Sequence, residues 1–588
     1  MREEKTYDFV IVGGGMSGIC AAIAAARYGI QVALIHNRPV LGGMASSEHR
    51  MHICGADRHM SNPNARETGI LEEILLEHKR RNPENSYAIF DSVVWEKVKF
   101  QENLDLYLNT HMTGVEVDQN HIVGITAVQL TTEKEFYFFG KMFLDATGDG
   151  TLGAKAGAEY RLGREARGIY GESLAPEQGD SVTMGSSLMF QTKDVGHPVP
   201  FVKPFWAYTF DESQLRLRDH SDVTSGYWWI ELGGVKERII EDGEQIRDEL
   251  LKTIFGVWDH IKNGGDHGAE NLELEWVGFL PGKRESRRLI GDYVLKQQDC
   301  AGNTAFPDAV AYGGWTMDIH TPGGFADESS EATVWNQVKD IYRIPYRCLY
   351  SKNIENLFLG GRAISCSRVA FSSTRVMATC AVTGQAAGTA AALAVKKGCT
   401  PREVGKNITE LQQELLKNDC YIPGIRNCDL DDQARTAVVS ATSELPGYEA
   451  AQVINGISRT EGNVSNCWKA NMSENPKLIL QWEDEIQASE IQLTFDSNLS
   501  REITPSINRA VLQRQSRLSP PELIRDYEVC FWHSGELVYR TRRAGDGQRL
   551  QRINLSQPVV CDTITLEPLN TYGCETAAVY EVRVYASR

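Results

Sequence analysis

The first 35 residues alternate between apolar runs and a glycine-rich break. Residues Tyr7–Val12 are mostly apolar and β-branched, as expected for a buried strand of a parallel sheet. The run breaks at Gly13–Gly18, the alanine-rich stretch Ile19–Tyr28 has helical composition, and Gln31–Ile35 is a second apolar run. The pattern predicts a strand–helix–strand unit whose first turn lies at the glycines.

That turn has the spacing of a dinucleotide-binding site. Gly13 allows the tight turn, Gly15 lets the backbone approach a pyrophosphate, and Gly18 lets helix and strand pack closely. The backbone N–H groups at the helix start, at Met16 and Ser17, then face the phosphates, where the helix dipole favours negative charge. Because the motif follows a strand and opens a helix, it predicts a bound dinucleotide.

The second strand ends without the acidic residue that usually binds the ribose hydroxyls. The sequence has His36, Asn37 and Arg38 there. His36 or Asn37 is able to hydrogen-bond a ribose, whereas Arg38 suits a 2′-phosphate and favours NADP. This first motif alone leaves NAD, NADP and FAD open.

Three later glycine motifs favour FAD. Gly42 and Gly43 stand where flavoproteins place a glycine pair against the pyrophosphate and the ribityl chain. A predicted strand ends in an Ala-Thr-Gly turn at Gly148, and another, Asn356–Arg362, precedes a helix of small residues whose N-terminus would face the flavin pyrimidine edge. The further cofactor contacts predicted from these motifs are Met44, Ser47, Ala146, Thr147, Gly148, Gly361, Arg362, Gly384 and Ala387.

Hydrophobic patterning and turn-forming residues divide the chain into successive parts. The predicted fold class is α/β: a Rossmann-like FAD-binding domain with a mixed α+β, substrate-covering insertion, followed by an all-β jelly-roll sandwich. The predicted parts are 1–160 (first FAD-binding part), 161–340 (insertion), 341–400 (second FAD-binding part), 401–430 (helical linker) and 431–588 (β-sandwich).

Charge and cysteine content exclude several classes of partner and chemistry. The formal net charge of −17 disfavours nucleic acid and anionic membranes as partners, and no apolar run approaches the length needed to span a bilayer. The 13 cysteines show no Cys-x-x-Cys pair and no metal-ligand spacing, so we expect reduced thiols and no metal site. The N-terminus leads straight into a strand, which predicts a cytoplasmic protein, or a periplasmic one if a signal peptide has been removed.

Several sequence blocks together resemble the FAD-dependent oxidoreductase family that is frequent in polysaccharide-degrading bacteria. The blocks are Leu41–Glu48, Glu67–Ile70, Asp145–Gly150, Pro281–Arg288, Gly313–His320 and Gly361–Ser365. The resemblance covers roughly residues 5–400, implies FAD as the cofactor, and extends distantly to the fumarate-reductase and glutathione-reductase flavin folds. The family often has histidine where this chain has Arg368, so a proton-transfer role of that histidine does not carry over.

Asp318 and His320 are the strongest candidates for acid–base chemistry. On a strand their alternation places both side chains on one face. Histidine ordinarily titrates near neutral pH, so His320 is suited to remove an alcohol proton while hydride leaves for flavin N5, and Asp318 to orient it. The alternative is that His320 caps the turn at Thr321–Gly324.

Four more residues complete the candidate catalytic set. Arg284, within a cationic block, is suited to clamp a substrate carboxylate or hydroxyl array or to stabilise reduced flavin; the alternative is a buried ion-pair network around Glu285. Glu231 lies in the aromatic segment Tyr227–Gly233, which predicts either a strand lining a sugar-binding cavity or core packing. Arg368 and Arg375 complete the set as candidates near flavin N5.

The C-terminal strands resemble a galactose-binding-like, discoidin-type domain, which predicts glycan binding or a packing and homo-oligomerisation module. The family resemblance and this appended domain together imply an FAD-dependent dehydrogenase of a hydroxyl-bearing, carbohydrate-like small molecule. The alternatives are a flavin-dependent C=C reductase or desaturase of a carboxylate, and a glycan-binding protein with a structural FAD. The sequence has one full dinucleotide fingerprint and does not identify the electron acceptor.

Overall fold

The computed structural model describes residues 2–586. From the N-terminus to residue 170 the elements are β1 (Glu3–Val12), α1 (Met16–Arg27), β2 (Val32–Ile35), α2 (Ile70–Arg81), α3 (Tyr87–Lys99), β3 (Leu104–Tyr107), β4 (Thr110–Asp118), β5 (His121–Gln129), β6 (Lys134–Asp145), α4 (Thr151–Lys155), β7 (Tyr160–Arg161) and α5 (Arg167–Tyr170). Then follow β8 (Ser186–Ser187), β9 (Phe190–Asp194), α6 (Glu212–Leu215), β10 (Ser225–Gly226), β11 (Glu231–Leu232), α7 (Gly243–Asn263), β12 (Leu272–Val277), β13 (Gly282–Lys283), β14 (Arg288–Leu289), α8 (Gln297–Gly302), β15 (Ala309–Gly313), β16 (Met317–His320), β17 (Thr333–Asn336), β18 (Tyr342–Pro345), β19 (Leu357–Leu359), α9 (Arg368–Thr374) and α10 (Met377–Lys397). The remaining elements are α11 (Pro401–Val404), α12 (Ile408–Lys417), β20 (Val438–Ala441), β21 (Trp468–Asn471), β22 (Leu478–Phe495), α13 (Arg509–Arg514), β23 (Ile524–His533), β24 (Glu536–Ala544), β25 (Leu550–Thr571) and β26 (Thr576–Tyr585).

The chain forms two compact units, neither of which is continuous in sequence. One unit comprises Met1–Arg58, Asn85–Leu411 and Thr504–Arg514. The other comprises His59–Glu84, Gln412–Ile503 and Gln515–Arg588. The linear boundaries expected from the sequence do not anticipate this interleaving.

The first unit is built on the predicted parallel sheet. Its strands β3, β2, β1 and β6 are neighbours in that order, and β19 pairs in parallel with the last residues of β6. Val10 of β1 aligns with Ala33 on one side and Phe143 on the other. Val10 is fully buried, as the continuous apolar run predicts, and it belongs to a core cluster that includes Ile125 of β5 and Phe138 of β6.

Helices α1 and α10 pack against each other at glycines. A Cβ atom added to Gly384 would overlap the carbonyl oxygen of Ser17, and one added to Gly388 would overlap that of Ala21. The expectation that no apolar segment reaches bilayer-spanning length is wrong for α10, which is long and apolar enough by composition. However, 94 % of its apolar window is buried inside the structure, as in a helix of a protein core.

The inserted part of this unit consists of short strands around an aromatic core. The predicted strand Tyr227–Gly233 is wrong as a continuous element, because only Glu231–Leu232 of it is strand. Tyr227 stacks on Trp229 with ring centroids 4.7 Å apart, and Trp229 stacks on Phe325. The aromatic alternation therefore reflects core packing at Trp229.

The second unit contains one all-antiparallel sheet, in the order β21, β26, β22, β25, β23 and β24, with β20 also paired to β22. Its two longest strands, β22 and β25, pair with each other on both sides of register shifts. Such irregularities bend strands, so the sheet folds over its own apolar face into the predicted sandwich.

Candidate functional site

The glycine turn between β1 and α1 is shaped to receive a phosphate group. Gly13 has φ +114°, and a Cβ on it would overlap the carbonyl oxygen of Ala146. By contrast, a Cβ at Gly15 would meet nothing within 4 Å. Helix α1 begins at Met16 without a side-chain cap, which leaves its first N–H groups for an anion. The turn fits a dinucleotide pyrophosphate, as the spacing predicted.

The second glycine pair lies directly beside this turn. The backbone N–H of Gly42 donates to the carbonyl of Gly14 over 2.9 Å. A Cβ on Gly43 would lie 3.1 Å from the Cα of Gly15. The pair therefore borders the open space at Gly15, the place that a pyrophosphate and a ribityl chain require.

Met44 and Ser47 continue this loop. The Met44 sulfur would lie 3.3 Å from a Cβ on Gly282, so Met44 faces the strand that precedes Arg284. The backbone N–H of Ser47 donates to the Asp91 carboxylate over 3.1 Å. Both residues border the second glycine pair in sequence, and their cofactor contacts stay predictions.

Two further predicted motifs meet at the carboxyl ends of the sheet. The hydroxyl of Ser17 accepts a hydrogen bond from the N–H of Gly361 at 2.8 Å. The Thr147 hydroxyl donates to Asp145 over 2.7 Å. Arg362 leaves no room for a Cβ on Gly148 and has a buried Nη1 atom without a hydrogen-bond partner in the described chain. That orphaned donor is the kind of group that a bound cofactor oxygen satisfies.

Both ring nitrogens of His36 contact backbone groups. Its Nδ1 accepts from the N–H of Gly14 at 3.0 Å, and its Nε2 lies 3.1 Å from the carbonyl of Val40. Burial lowers the pKa of His36 to about 4, so the ring is neutral and holds the glycine turn in place. Both ring nitrogens are thus used, and Asn37, which is exposed, is the better placed of the two for a ribose hydroxyl.

Arg38 forms an ion pair with a carboxylate from the following loop. Its Nε lies 3.0 Å from Oε2 of Glu48. The guanidinium that would bind the 2′-phosphate of NADP is therefore occupied within the protein. This contact removes the sequence argument for NADP.

Five of the six predicted catalytic residues form one buried cluster. His320 Nδ1 lies 2.5 Å from Oε2 of Glu231, and His320 Nε2 lies 3.0 Å from Oδ2 of Asp318. Arg375 donates to the same Asp318 oxygen over 2.8 Å and lies 3.2 Å from His320 Nε2. Arg284 Nη1 lies 3.4 Å from Oε2 of Glu231.

Short strands explain how distant residues meet here. Strand β8 pairs with β11 on one side and β13 on the other, so Glu231 lies opposite Ser187 and Arg284 follows the same sheet. Strand β16 carries Asp318 and His320 and pairs with β17, which supplies Thr333. The alternation that predicted a shared face for Asp318 and His320 is confirmed by their contact.

Contacts outside the predicted set hold the cluster rigid. Arg284 donates to the hydroxyl of Ser187 and to the carbonyl of Trp228, both over 2.6 Å. Thr333 donates to the second oxygen of Asp318 over 2.6 Å. Sequence reasoning missed Ser187 and Thr333, since neither belongs to a motif. Only the strand pairing reveals them.

The two carboxylates of the cluster are ionised. Burial alone would raise the pKa of Glu231, but Arg284 and His320 outweigh it and lower that pKa to about 2. In the same way His320 and Arg375 overcome burial and lower the pKa of Asp318. Two carboxylates and two guanidiniums thus form the cluster around His320.

The geometry defines what His320 is able to do. When Nδ1–H donates to Glu231, the ring is oriented and Nε2 lies between Asp318 and Arg375. A proton taken up at Nε2 is then stabilised by Asp318. The alternative in which His320 caps the following turn is wrong, because both ring nitrogens point to carboxylates.

Arg368 lies in a separate ion-pair network. Glu285 accepts from Arg288 at 2.8 Å and lies 3.4 Å from the Nε of Arg368. Arg288 is fully buried and also pairs with Glu165 at 2.9 Å. Arg288 and Arg368 thus belong to the ion-pair network around Glu285, whereas Arg284 belongs to the cluster at His320. Within the described residues, no hydrogen bond joins Arg368 to His320.

A dinucleotide-dependent enzyme is the class that this geometry defines. The family described as FAD dependent oxidoreductase matches residues 8–415, more than half of the chain, and the chain belongs to this family. The resemblance expected from the sequence, the enzyme class and FAD as the cofactor are confirmed. When bound, FAD supplies the acceptor for a hydride.

Curated relatives match a limited part of the chain. The tRNA uridine 5-carboxymethylaminomethyl modification enzyme MnmG of Geotalea uraniireducens is 29 % identical over 160 residues, 25 % of this chain and 24 % of that protein. Digeranylgeranylglycerophospholipid reductase 1 of Methanococcoides burtonii is 25 % identical over 180 residues, 26 % of this chain and 41 % of that protein. The match thus spans less than half the length of either relative.

Among solved structures, carbohydrate-binding modules are similar to part of the chain. The family 32 module of Clostridium perfringens NanJ, in complex with galactose, matches with TM-score 0.19 and 18 % identity, over 26 % of this chain and 95 % of that one. The lectin domain of lectinolysin matches with TM-score 0.21 and 12 % identity, over 27 % and 99 %. These scores carry no argument about function.

Proposed function

We propose that the enzyme oxidises a hydroxyl-bearing, carbohydrate-like small molecule, with His320 as the general base. The observation that carries the proposal is the orientation of His320 by Glu231, with Nε2 directed between Asp318 and Arg375. His320 would accept the substrate hydroxyl proton at Nε2, and FAD, when bound, would accept the hydride from the same carbon. The C–H and O–H bonds break and a carbonyl forms.

The position of the cluster along α10 supports this role. Arg375 lies two residues before the start of α10, and Gly384 of that helix packs on Ser17 at the phosphate-binding turn. From Met377 to Gly384 the helix rises about 11 Å. Helix α10 thus links the phosphate-binding turn to the segment that carries Arg375.

Aromatic side chains beside His320 support a sugar-like substrate. Trp228 packs edge-on to His320 with centroids 5.4 Å apart and is 37 % exposed. Trp335, 49 % exposed, lies 6.2 Å from Trp228. Exposed indole faces next to a base suit the apolar face of a sugar ring, while Arg284 and Arg375 are suited to bind its hydroxyls.

Anaerobic titration of the holoenzyme tests the proposal. Aldoses, alditols and uronic acids are added to oxidised enzyme, and reduction of the flavin is followed by its absorbance. We expect at least one to reduce the flavin, and His320→Gln to slow that reduction about 10²–10⁴-fold. The exposed His197 provides the matched control, since His197→Gln should leave the rate unchanged. A normal rate in His320→Gln would overturn the role of the base.

A second candidate is reduction of a C=C bond in an unsaturated carboxylate. It is favoured by Arg375, whose buried Nε has no hydrogen-bond partner within the described residues, since a substrate carboxylate would satisfy it. The relative from Methanococcoides burtonii is named a reductase. In the same titration, unsaturated acids would reoxidise the chemically reduced enzyme while hydroxyl compounds leave the oxidised flavin unchanged.

A further inference from the structure

Three histidines and a glutamate converge on one point of the insertion, away from the cluster at His320. The ligand atoms of Glu212, His220, His260 and His267 all lie within 4.8 Å of one another. We propose that these four residues form a binding site for a late first-row transition metal ion, with Zn²⁺ as the representative ion. Their chemistry, three imidazoles and one carboxylate, is a common tetrahedral zinc ligand set.

The distances between the ligand atoms match those of a tetrahedral zinc site. His260 Nε2 lies 3.0 Å from Oε2 of Glu212 and 3.2 Å from Nε2 of His267. His220 Nε2 lies 3.5 Å from the same glutamate oxygen. Zinc–nitrogen and zinc–oxygen bonds of about 2.0–2.1 Å place tetrahedral ligands about 3.3 Å apart. All three distances lie close to that value.

Hydrogen bonding alone does not satisfy this arrangement. The Nε2 of His260 faces both Glu212 and His267, yet a ring nitrogen carries either one proton or one lone pair. It therefore makes only one of these two hydrogen bonds in full. A cation at the centre would accept a lone pair from every one of the nitrogens and neutralise the carboxylate.

The local backbone positions the three histidines and Glu212 for metal binding. His220 Nδ1 lies 2.6 Å from the carbonyl of Arg218, which fixes the tautomer that leaves Nε2 as the ligand. Helix α7 presents His260 in its last turn, and the glycine turn that follows, with Gly265 at φ +102°, returns His267 to it. Glu212 is the first residue of α6 and its side chain is 69 % exposed, so it is free to close over an ion.

A metal ion at this site would stabilise the segment that leads to the candidate active site. The backbone on either side of His220 is held by the indole of Trp229, which donates to the carbonyl of Asp219 over 2.8 Å, and by the hydroxyl of Tyr227, which donates to that of Asp222 over 2.8 Å. Trp228, between these two aromatic residues, contacts His320. A metal ion would thus have a structural role, stabilising this segment.

Equilibrium titration with Zn²⁺ tests the proposal. Chelator-treated holoenzyme is titrated against a chromophoric zinc indicator. We expect one ion per chain, with His260→Gln and His267→Gln each weakening binding at least tenfold. The exposed His197 is the matched control, and His197→Gln should bind as the unmodified protein does. A melting temperature that rises with Zn²⁺ in the unmodified protein but not in His267→Gln gives a second measure.

His267 and Glu212 keep the test decisive even if a change at the buried His260 prevents folding. His267 lies in a turn and Glu212 on the surface, so both variants should fold. Failure of the unmodified protein to bind Zn²⁺ would overturn the proposal, as would equal binding by His267→Gln and His197→Gln. Weaker binding by Glu212→Gln would identify the carboxylate as the fourth ligand.

Discussion

Replacement of Glu231 by glutamine tests the electrostatic account of the cluster. Gln keeps the shape of the side chain and an oxygen that accepts from His320, but it removes the charge that compensates Arg284. Folding lowers the pKa of Glu231 from its ordinary 4.5 to about 2, which corresponds to about 3 kcal/mol of stabilisation at neutral pH. Removal of one partner from a buried ion pair costs about 3–5 kcal/mol. We therefore expect Glu231→Gln to lose about 3 kcal/mol at pH 7.

The pH dependence provides the discriminating measurement. Because folding lowers this pKa, the stabilisation is complete above about pH 4.5 and is lost as the pH falls towards 2. Urea denaturation of holoenzyme and variant, at fixed FAD concentration, should show a large difference at pH 7. The difference should shrink as the pH is lowered from 5 to 3.

Glu159 provides the control for this experiment. It pairs with Lys352 at 3.1 Å, but both side chains are about half exposed. An exposed pair contributes about 0–1 kcal/mol, so Glu159→Gln should change stability little. Equal stability of Glu231→Gln and the unmodified protein at pH 7, or a difference that does not vary with pH, would refute the reasoning.

Three further substitutions test packing and cofactor geometry. Gly15→Ala should leave stability within about 0.5 kcal/mol, because its Cβ meets nothing within 4 Å, yet weaken FAD binding at least about tenfold in an apoprotein titration. Gly384→Ala should lower the free energy of unfolding, measured by urea denaturation, by about 1–3 kcal/mol, because its Cβ would push α10 away from α1. Gly168→Ala is the control and should change that free energy little, because a Cβ at Gly168 would meet nothing within 4 Å. Arg288→Met should lose about 3–5 kcal/mol in the same assay, because it removes the buried cation that pairs with both Glu285 and Glu165. Unchanged FAD affinity in Gly15→Ala would contradict the phosphate-binding turn.

Much of the cofactor fold could be predicted from the sequence because its signals are local. The strand, turn and helix of Tyr7–Arg27 follow from adjacent residues, and close contact with backbone oxygens explains Gly13 and Gly18. In the predicted strand Tyr227–Gly233 only Glu231–Leu232 pairs as a strand, while Trp229 is packed between the rings of Tyr227 and Phe325. The interleaving of the two units depends on contacts between distant segments, which no local pattern records.

The candidate site was partly predictable for the same reason. Asp318 and His320 share a strand face, which alternation reveals. Glu231 contacts His320 across 89 residues, and the sequence singled out both without indicating that they touch. The sequence does not show that Arg284 and Arg368 lie in different ion-pair networks. Only the folded structure shows that Arg284 pairs with Glu231 and Arg368 with Glu285.

The histidine cluster shows most clearly why the spacing of ligands along the sequence does not predict every candidate metal site. Metal motifs are recognised when ligands share a helix or a short loop, but His220 and His260 belong to different elements and meet through the fold. His267 reaches His260 only because a glycine turn reverses the chain after α7. The expectation of no metal site rested on spacing along the chain, whereas coordination depends on distances in space. A test of zinc binding is therefore a test of the three-dimensional arrangement itself.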